Sequence, residues 1–426
     1  MAVAAILIFV GAYILLMTEW VHRTKVALVG AGLMLLLRIN DAEHTFFAED
    51  TGIDWNVLFL LLGMMVIVSV LRRTGVFEYV AVWAAKRARG KPYRLMVMLC
   101  LLTAVASAML DNVTTILLIA PVTFLVCERL ALRVAPYIIA EVMASNIGGT
   151  ATLVGDPPNI IIASPSRGDL SFNDFLVNLT PIVVLLMVVF CVLCRWLFRR
   201  DFTYDPKRAA TVMALNEREA IKDGLLLAKS LGVLVLVLAA FVLHPVLHYE
   251  PSIVALLGAG LLVLITDVTP GEAMDGVEWS TLVFFAGLFV MVGGLVRTDV
   301  IGEVSAWTAD ITDGRLGVAT MTLLGGSAVL SAIIDNIPYV TTMGPIVSEL
   351  AAGHGSEGHV LWWALALGAD LGGNATAIGA SANVVALGIA DRAGKNIGFW
   401  EFTRYGLVVT AVTVSLCVPY LWLRYL

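Results

Sequence analysis

The chain alternates long apolar stretches with short polar segments from its first residues to its last. Twelve stretches are long enough, or nearly long enough, to cross a hydrocarbon core of about 30 Å as helices. Two of them, 94–131 and 316–351, are about twice the length of one span and carry polar residues at their centres, so we expect re-entrant helical hairpins. Two others, 134–164 and 361–390, are interrupted by glycines, which indicates discontinuous helices. The pattern predicts an all-α polytopic membrane protein.

Composition agrees with this class. Hydrophobic residues make up 59% of the chain and charged residues 14%, with a mean hydropathy of +0.91. Soluble domains carry about 25% charged residues, so little of this chain lies outside a membrane. No basic patch indicates nucleic-acid binding. The five cysteines lie in or beside apolar stretches and are interpreted as buried apolar side chains. The first stretch lacks a cationic n-region and a cleavage site, which favours a retained helix over a signal peptide.

The polar interruptions recur at a fixed distance of 224 residues. This register holds through the centre of each half and shifts only in segments predicted as loops. Each half then contains five crossings and one re-entrant hairpin, and an odd number of crossings places the second half upside down relative to the first. We therefore expect two inverted-topology repeats, 1–198 and 230–426. A cytoplasmic linker at 199–229 joins them and carries an amphipathic helix at 209–228.

The distribution of basic residues predicts the orientation. With the N-terminus outside and both hairpins returning on the side they enter, 22 of the 27 lysines and arginines fall on the cytoplasmic side, as the positive-inside rule requires. Both termini then lie outside. The segment 267–278 is predicted inside yet carries only acids, which count little in this rule. The predicted location is a bacterial cell membrane.

Each hairpin carries an aspartate followed by an asparagine at its centre. The first centre contains Asp111, Asn112 and Thr114, and the second contains Asp335 and Asn336. Two helical arms of about 17 residues, at ~1.5 Å per residue, reach the bilayer midplane and return. A charged residue inside a membrane is costly and is by default a functional-site hypothesis. The alternative is that each aspartate only caps the returning helix; the symmetric placement favours binding of an ion or substrate.

Glycines interrupt the helix that follows each hairpin. Unwound backbone at membrane depth is tolerated only where it lines a cavity or is buried in protein. Free carbonyls suit a cation, and amides suit an oxygen-bearing solute, while a flexible hinge is the alternative to a binding site. The candidate binding residues of the two breaks are Asn146, Gly148, Gly149, Thr152, Gly155, Asp156, Asn159, Asp370, Gly372, Gly373, Thr376, Gly379 and Asn383.

The two breaks carry their carboxylates at different positions. Asp156 aligns with Ala380 in the other half, and Asp370 aligns with Asn146. No lysine or arginine is expected near the midplane to neutralise these acids, so they are either protonated or hold a cation. Either outcome predicts coupling to H⁺ or Na⁺, with no cofactor and no metal beyond Na⁺. The candidate proton carriers are Asp111, Asp156, Asp335, Asp370 and Glu141.

These motifs resemble the ion transporter superfamily. The Asp-Asn-Val-Thr-Thr sequence from Asp111, followed by the Asn-Ile-Gly-Gly-Thr-Ala-Thr-Leu-Val-Gly-Asp-Pro-Pro-Asn sequence from Asn146, is similar to the arsenite permease and melanosomal P-protein group. The resemblance covers nearly the whole chain. It implies hairpin and broken-helix tips that meet at one site, an elevator-like movement and a homodimer. It also implies a candidate partner, the arsenical-pump ATPase subunit.

The resemblance leaves the substrate open. Relatives move arsenite and antimonite, exchange Na⁺ for H⁺, or carry chloride or dicarboxylates. Dicarboxylate carriers show Ser-Asn-Thr at their tips, whereas this chain has Asp-Asn, which disfavours a dicarboxylate carrier. The resemblance to proteins labelled arsenic transporters implies efflux of arsenite or antimonite, and we expect it to be coupled to H⁺ or Na⁺. A Na⁺/H⁺ antiporter and an anion transporter are the alternatives. An intramembrane aspartyl protease would also need two buried aspartates, but it requires Gly-x-Gly-Asp, and this chain has only Val154-Gly155-Asp156.

Overall fold

The computed structural model describes residues 1–18, 20–48, 51–164, 170–214, 216–311 and 314–426. Within these ranges every regular element is helical, which confirms the all-α class. The helices of the first half are α1 (Ala2–Thr18), α2 (Arg23–Leu36), α3 (Ala42–Phe46), α4 (Trp55–Arg73), α5 (Val76–Arg87), α6 (Pro92–Met109), α7 (Asn112–Leu130), α8 (Val134–Gly149), α9 (Pro157–Ala163) and α10 (Phe172–Leu197).

The linker and the second half contain the remaining helices. They are α11 (Pro206–Met213), α12 (Gly224–Val242), α13 (His244–Leu247), α14 (Pro251–Ile265), α15 (Pro270–Met274), α16 (Trp279–Arg297), α17 (Val300–Ile311), α18 (Leu316–Ser331), α19 (Asn336–Ala352), α20 (His359–Gly372), α21 (Ser381–Arg392) and α22 (Phe399–Tyr425). Two short 3₁₀ helices lie at Glu217–Ala220 and Gly355–Gly358.

The helices have the length and surface of membrane spans. Seven in the described ranges are long and apolar enough to cross a bilayer, namely α4, α6, α7, α10, α12, α16 and α22. Helices α1, α14 and α18 are apolar but shorter. Large apolar side chains are exposed along the outer helices, including Val192 at 64%, Val235 at 64% and Leu264 at 82%. Such surface is stable against lipid and costly in water, which confirms the membrane class.

The hairpins and breaks fall where polar and glycine residues interrupt the apolar pattern. Helix α6 packs against α7 and α18 against α19, and each pair is separated by the few residues around an aspartate. Helix α8 ends at Gly149 and α9 begins with Pro157, because proline suits the first helical turn. In the second half, α20 ends at Gly372 and α21 begins at Ser381.

The helices pack into two groups. Helices α1, α2, α4, α12, α14 and α16 contact one another and form what we call the scaffold group. The hairpins, the broken helices, α10 and α22 form the hairpin group, which meets the scaffold mainly through α16 with α19, α10 with α12 and α4 with α9. Glycine permits close packing in the scaffold group. A Cβ on Gly63 would lie 2.6 Å from the backbone carbon of Ala255, and one on Gly287 would lie 2.9 Å from that of Ala27.

The linker differs from the helix predicted there. The expected amphipathic helix at 209–228 is replaced by the short helix α11, the 3₁₀ helix at Glu217–Ala220 and the beginning of α12 at Gly224. Capping explains the division, since the side chains of Asn216 and Asp223 each accept hydrogen bonds from backbone N–H groups just after them. Polar side chains of this kind compete with helix interiors and favour helix starts.

Candidate functional site

Both hairpin aspartates cap the helix that follows them. The Asp111 carboxylate accepts a hydrogen bond from the Thr114 N–H at 2.7 Å, and the Asp335 carboxylate accepts one from the Ile337 N–H at 3.2 Å. The capping interpretation is therefore realised in the structure. It leaves room for a further role, because both aspartates are only half-buried.

The unwound segments are held by an asparagine from the helix that follows each break. The Asn159 amide donates to the carbonyl of Thr152 at 2.9 Å, and the Asn383 amide donates to the carbonyls of Gly373 and Thr376, both at 2.8 Å. A further hydrogen bond joins each break to the hairpin before it. In the first half, the Thr152 hydroxyl donates to the Ala108 carbonyl at 2.5 Å. Thr376 makes the matching bond to Ala332 at 2.6 Å. Because these bonds satisfy free carbonyls, they explain how a broken helix stays folded within a membrane.

The candidate glycines lie where backbones approach most closely. A Cβ on Gly148 would lie 2.3 Å from the Ala104 carbonyl oxygen, and one on Gly372 would lie 2.6 Å from that of Ala328. In each break the next two candidate glycines face one another. A Cβ added to Gly149 would lie 2.7 Å from the Gly155 carbonyl oxygen, and one added to Gly155 would lie 2.5 Å from that of Gly149. In the second break, a Cβ added to Gly373 would lie 3.1 Å from the Gly379 carbonyl oxygen, and one added to Gly379 would lie 2.8 Å from that of Gly373. The structure thus assigns these six glycines to close packing of the tips.

An amide junction joins the two halves of the molecule. The Asn146 side chain donates to the amide oxygens of Asn374 at 3.0 Å and Asn383 at 3.1 Å. Its own oxygen accepts from the Asn112 amide at 3.2 Å. Asn336, at the second hairpin tip, instead donates its backbone N–H to the Gly379 carbonyl at 3.3 Å. Three of the candidate asparagines, Asn112, Asn146 and Asn383, therefore meet at this junction, with Asn374 as an additional member.

Two carboxylates lie buried beside this junction. Asp156 and Asp370 are both 0% exposed; the Asn112 amide lies near the first and the Thr150 hydroxyl near the second, but no oxygen of either carboxylate accepts a well-aligned hydrogen bond among the described residues. Asp156 interacts electrostatically with Asp370 and, more weakly, with the aspartates of both hairpin tips. Unpartnered buried carboxylates are rare because removing a charge from water is costly. Their arrangement suits either protons or a bound cation.

Glu141 lies apart from the junction. It is 1% exposed and accepts a hydrogen bond from the Thr123 hydroxyl at 2.5 Å, within the packing of α8 against α7. Its second oxygen has no partner. The structure therefore separates this candidate proton carrier from the other four.

A basic residue near the second tip was missed by the sequence reasoning. The expectation that no lysine or arginine neutralises the acids is wrong for Asp335, whose carboxylate lies 3.7 Å from the Arg23 guanidinium. The guanidinium also donates to the hydroxyls of Ser381 and, at 3.2 Å, Thr281. The prediction failed because Arg23 begins α2, far from the hairpin in sequence, and basic residues at helix ends are ordinarily assigned to the membrane surface.

Two cavities lie beside the site and contact different turns of α16. One of about 310 Å³ is lined by Arg23, Asp335 and Ser381, and one of about 1160 Å³ is lined by Asp54 and Leu153. Neither is lined by the two buried carboxylates of the breaks, so these are occluded from both. Burial raises the pKa of Glu278, which precedes α16; the nearby charge of Asp111 raises it further, and Thr281 and Arg23 lower it. Burial also raises the pKa of Asp54 at the larger cavity.

Comparison with known proteins places this architecture among transporters. A family model described as citrate transporter matches residues 13–368. An uncharacterized transporter of Mycobacterium tuberculosis is 57% identical over 427 residues, covering 100% of this chain and 99% of the relative. The human P protein is 35% identical over 491 residues, covering 96% of this chain and 58% of the P protein. The crystal structure of the Alcanivorax borkumensis YdaH transporter, described as having an unusual topology, superposes with a TM-score of 0.61 at 15% identity. It covers 87% of this chain and 84% of that one.

Proposed function

The chain belongs to the citrate transporter family, and from this premise we propose that it exports arsenite or antimonite, coupled to H⁺ or Na⁺. Membership of a transporter family decides against the intramembrane protease. The resemblance to the ion transporter superfamily is supported by the P-protein similarity. The substrate and the coupling ion form the proposal.

The observation that carries the proposal is the pair of unpartnered carboxylates. Asp156 and Asp370 come from different halves, are fully buried and lie beside the amide junction. A carrier that couples transport to H⁺ or Na⁺ needs a group that changes its charge or its bound cation during the cycle. Two acids held by several well-aligned hydrogen bonds would have little such freedom, whereas these two each lie near a single protein donor, Asn112 or Thr150.

The polar groups of the junction favour a neutral hydroxylated solute over a polyanion. Arsenite is uncharged at neutral pH, and its hydroxyls can both donate to and accept from amides such as those of Asn112 and Asn146. Citrate would instead meet Asp111, Asp156 and Asp370, and like charges at short range cost several kcal/mol. Citrate binding at this site therefore requires several accompanying cations. We propose that it is not the substrate.

A Na⁺/H⁺ antiporter is the second candidate, and the same carboxylates favour it. If Asp156 and Asp370 exchange protons for Na⁺ directly, no second solute is needed. The carbonyls of the unwound segments add oxygen ligands suited to Na⁺. The two candidates differ in one respect: the antiporter moves protons on addition of Na⁺ alone.

Liposomes loaded with a pH-sensitive dye decide between them. Purified protein is reconstituted, and proton movement is recorded after addition of arsenite, antimonite, Na⁺, chloride or citrate. Arsenite-dependent flux that disappears in Asp156→Asn and Asp370→Asn supports the leading proposal. Flux driven by Na⁺ without arsenite supports the antiporter, and flux driven by citrate alone contradicts both.

The movement is proposed to be elevator-like, with the hairpin group sliding against the scaffold group. This is supported by the separation of the two groups and by the two separate cavities, which contact different turns of α16. A homodimer, outward-facing termini and an arsenical-pump ATPase partner stay predictions. Chemical cross-linking in native membranes and tag accessibility test the first two, and co-purification tests the third.

A further inference from the structure

Arg23 contacts the second hairpin tip from the scaffold group. It is the first residue of α2, where a positive charge opposes the helix dipole and therefore does not stabilise its own helix. Its guanidinium lies 3.7 Å from the Asp335 carboxylate, donates to Ser381 and Thr281, and sits 5.5 Å from the centre of the Phe284 ring. All these partners lie on the hairpin, the broken helix or α16.

Ser381 completes a closed set of contacts. Its hydroxyl donates to the Asp335 carboxylate at 2.5 Å while accepting from Arg23. Asp335 caps the start of α19 and Ser381 begins α21, so one guanidinium holds both tips of the second half at once. The scaffold end is fixed as well, because the Thr24 hydroxyl donates to the Ser280 carbonyl of α16 at 2.9 Å.

The first half has no equivalent of this contact. Arg23 corresponds to Pro251, the first residue of α14, and Ser381 corresponds to Pro157, the first residue of α9. Neither proline offers a side-chain donor. Asp111 accordingly makes no ion pair among the described residues, although it caps its helix as Asp335 does. The cation is thus specific to one tip of an otherwise duplicated site.

We propose that Arg23 is a tethered cation that occupies Asp335 when no coupling cation is bound and so locks the hairpin group to the scaffold. A proton or Na⁺ at Asp335 displaces the guanidinium and releases the second hairpin for movement. The coupling cation at this tip therefore competes with a residue of the protein itself. This inference rests on the proposed coupled transport. It assigns the gating role to Asp335 and not to Asp111.

Amide hydrogen exchange tests the lock without any transport measurement. In detergent-purified protein, Arg23→Gln is expected to raise exchange in 336–342 and 381–386 about threefold to tenfold, since opening of these segments no longer breaks a partly exposed ion pair. Asp335→Asn should give the same increase, and the double variant no further one. Lys25→Gln, an exposed charge two residues along the same helix, is the matched control and should change nothing. If Arg23→Gln exchanges as wild type, there is no lock.

Transport then tests the competition. In liposomes, Arg23→Gln should lower the concentration of coupling cation needed for half-maximal flux at least ~5-fold, whereas Arg23→Lys should stay near wild type. An unchanged half-maximal concentration together with faster exchange would reduce Arg23 to a structural contact and overturn the proposal. If Arg23→Gln fails to fold, Ser381→Ala replaces it in both measurements. This variant keeps the charges of Arg23 and Asp335 but removes the hydroxyl that joins them. If no ion drives flux in the wild type, the proposed function fails, and the exchange measurement still decides whether the lock exists.

Discussion

Replacement of Asn146 by alanine probes the junction that joins the two halves. The Asn146 side chain is 0% exposed and makes three hydrogen bonds of 3.0–3.2 Å, to Asn112, Asn374 and Asn383. In Asn146→Ala, one amide donor and two amide oxygens lose this partner. We therefore expect the variant to lose both stability and transport.

The size of the loss follows from these three bonds. Side-chain hydrogen bonds in membrane proteins contribute about 0.6 kcal/mol each on average and up to about 1.7. Three of them give a loss of about 2–5 kcal/mol in the free energy of unfolding. Alanine regains at most ~0.7 kcal/mol through its higher helix propensity, which does not offset the loss. Asn40 offers a matched comparison, since it is 1% exposed but donates a single bond, to Val290 at 2.9 Å. We expect about 1 kcal/mol for Asn40→Ala.

Unfolding in mixed micelles, followed by tryptophan fluorescence during SDS titration, measures both variants. Transport in liposomes, normalised to folded protein, separates function from stability. Equal destabilisation by Asn146→Ala and Asn40→Ala would refute the reasoning, because it would mean that the bonds between the halves contribute no more than one peripheral bond.

Three further predictions rest on other contacts. Asp156→Asn should abolish coupled flux while leaving the free energy of unfolding unchanged or higher, because an amide replaces a buried carboxylate without partners; SDS titration and liposome flux check this. Gly148→Ala should destabilise by about 1–3 kcal/mol through overpacking, whereas Gly325→Ala, which faces open space, should gain up to ~1 kcal/mol from helix propensity. The hydrogen bond from Lys86 lowers the pKa of Glu217, so this pair's contribution to stability should be complete above the ordinary glutamate pKa of 4.5. It should be lost as the pH falls through the lowered value, as measured by unfolding from pH 7 to 3.

Each of these predictions has an outcome that contradicts it. Marked destabilisation by Asp156→Asn would mean that its carboxylate makes a stabilising contact. Equal effects of the two glycine variants would show that close approach does not limit the packing of α8 on α6. For the linker, Lys86→Gln should flatten the acid dependence, and an unaltered pH profile in that variant would assign the dependence to other carboxylates.

The fold could be predicted from sequence because membrane energetics leave few alternatives. Backbone groups must be satisfied within the bilayer, so apolar stretches become helices and their polar interruptions become hairpins or breaks. The break at Gly149 and the restart at Pro157 followed from residue chemistry alone. The linker helix was predicted wrongly because amphipathic spacing there competes with capping by Asn216 and Asp223, and the caps prevail.

The site could be predicted only in part. The spacing of residues along the sequence shows which residues lie together within one half, but it does not show which elements of the two halves make contact. Asn146, Asn159 and Asn383 were identified through the repeat; Asn146 and Asn383 meet at the junction, whereas Asn159 holds the unwound backbone of its own break. Arg23 and Asn374 were missed, since each acts across elements whose contact no local pattern encodes. The close packing at the glycines was not predicted either, because it requires knowledge of the facing backbone.

The departures from symmetry explain why the two helix breaks together bury one pair of carboxylates and not four. In sequence, Asp156 and Asp370 look unrelated, because each aligns with an uncharged residue of the other half. In the structure the two carboxylates are electrostatic neighbours beside one amide junction. A strictly symmetric duplication would have placed four acids there, and mutual repulsion at short range would have made that site unstable. Removal of one acid from each half, at non-equivalent positions, retains a single pair. The same loss of symmetry gives Asp335 an arginine that Asp111 lacks, so the two halves bind charge differently although they share one fold.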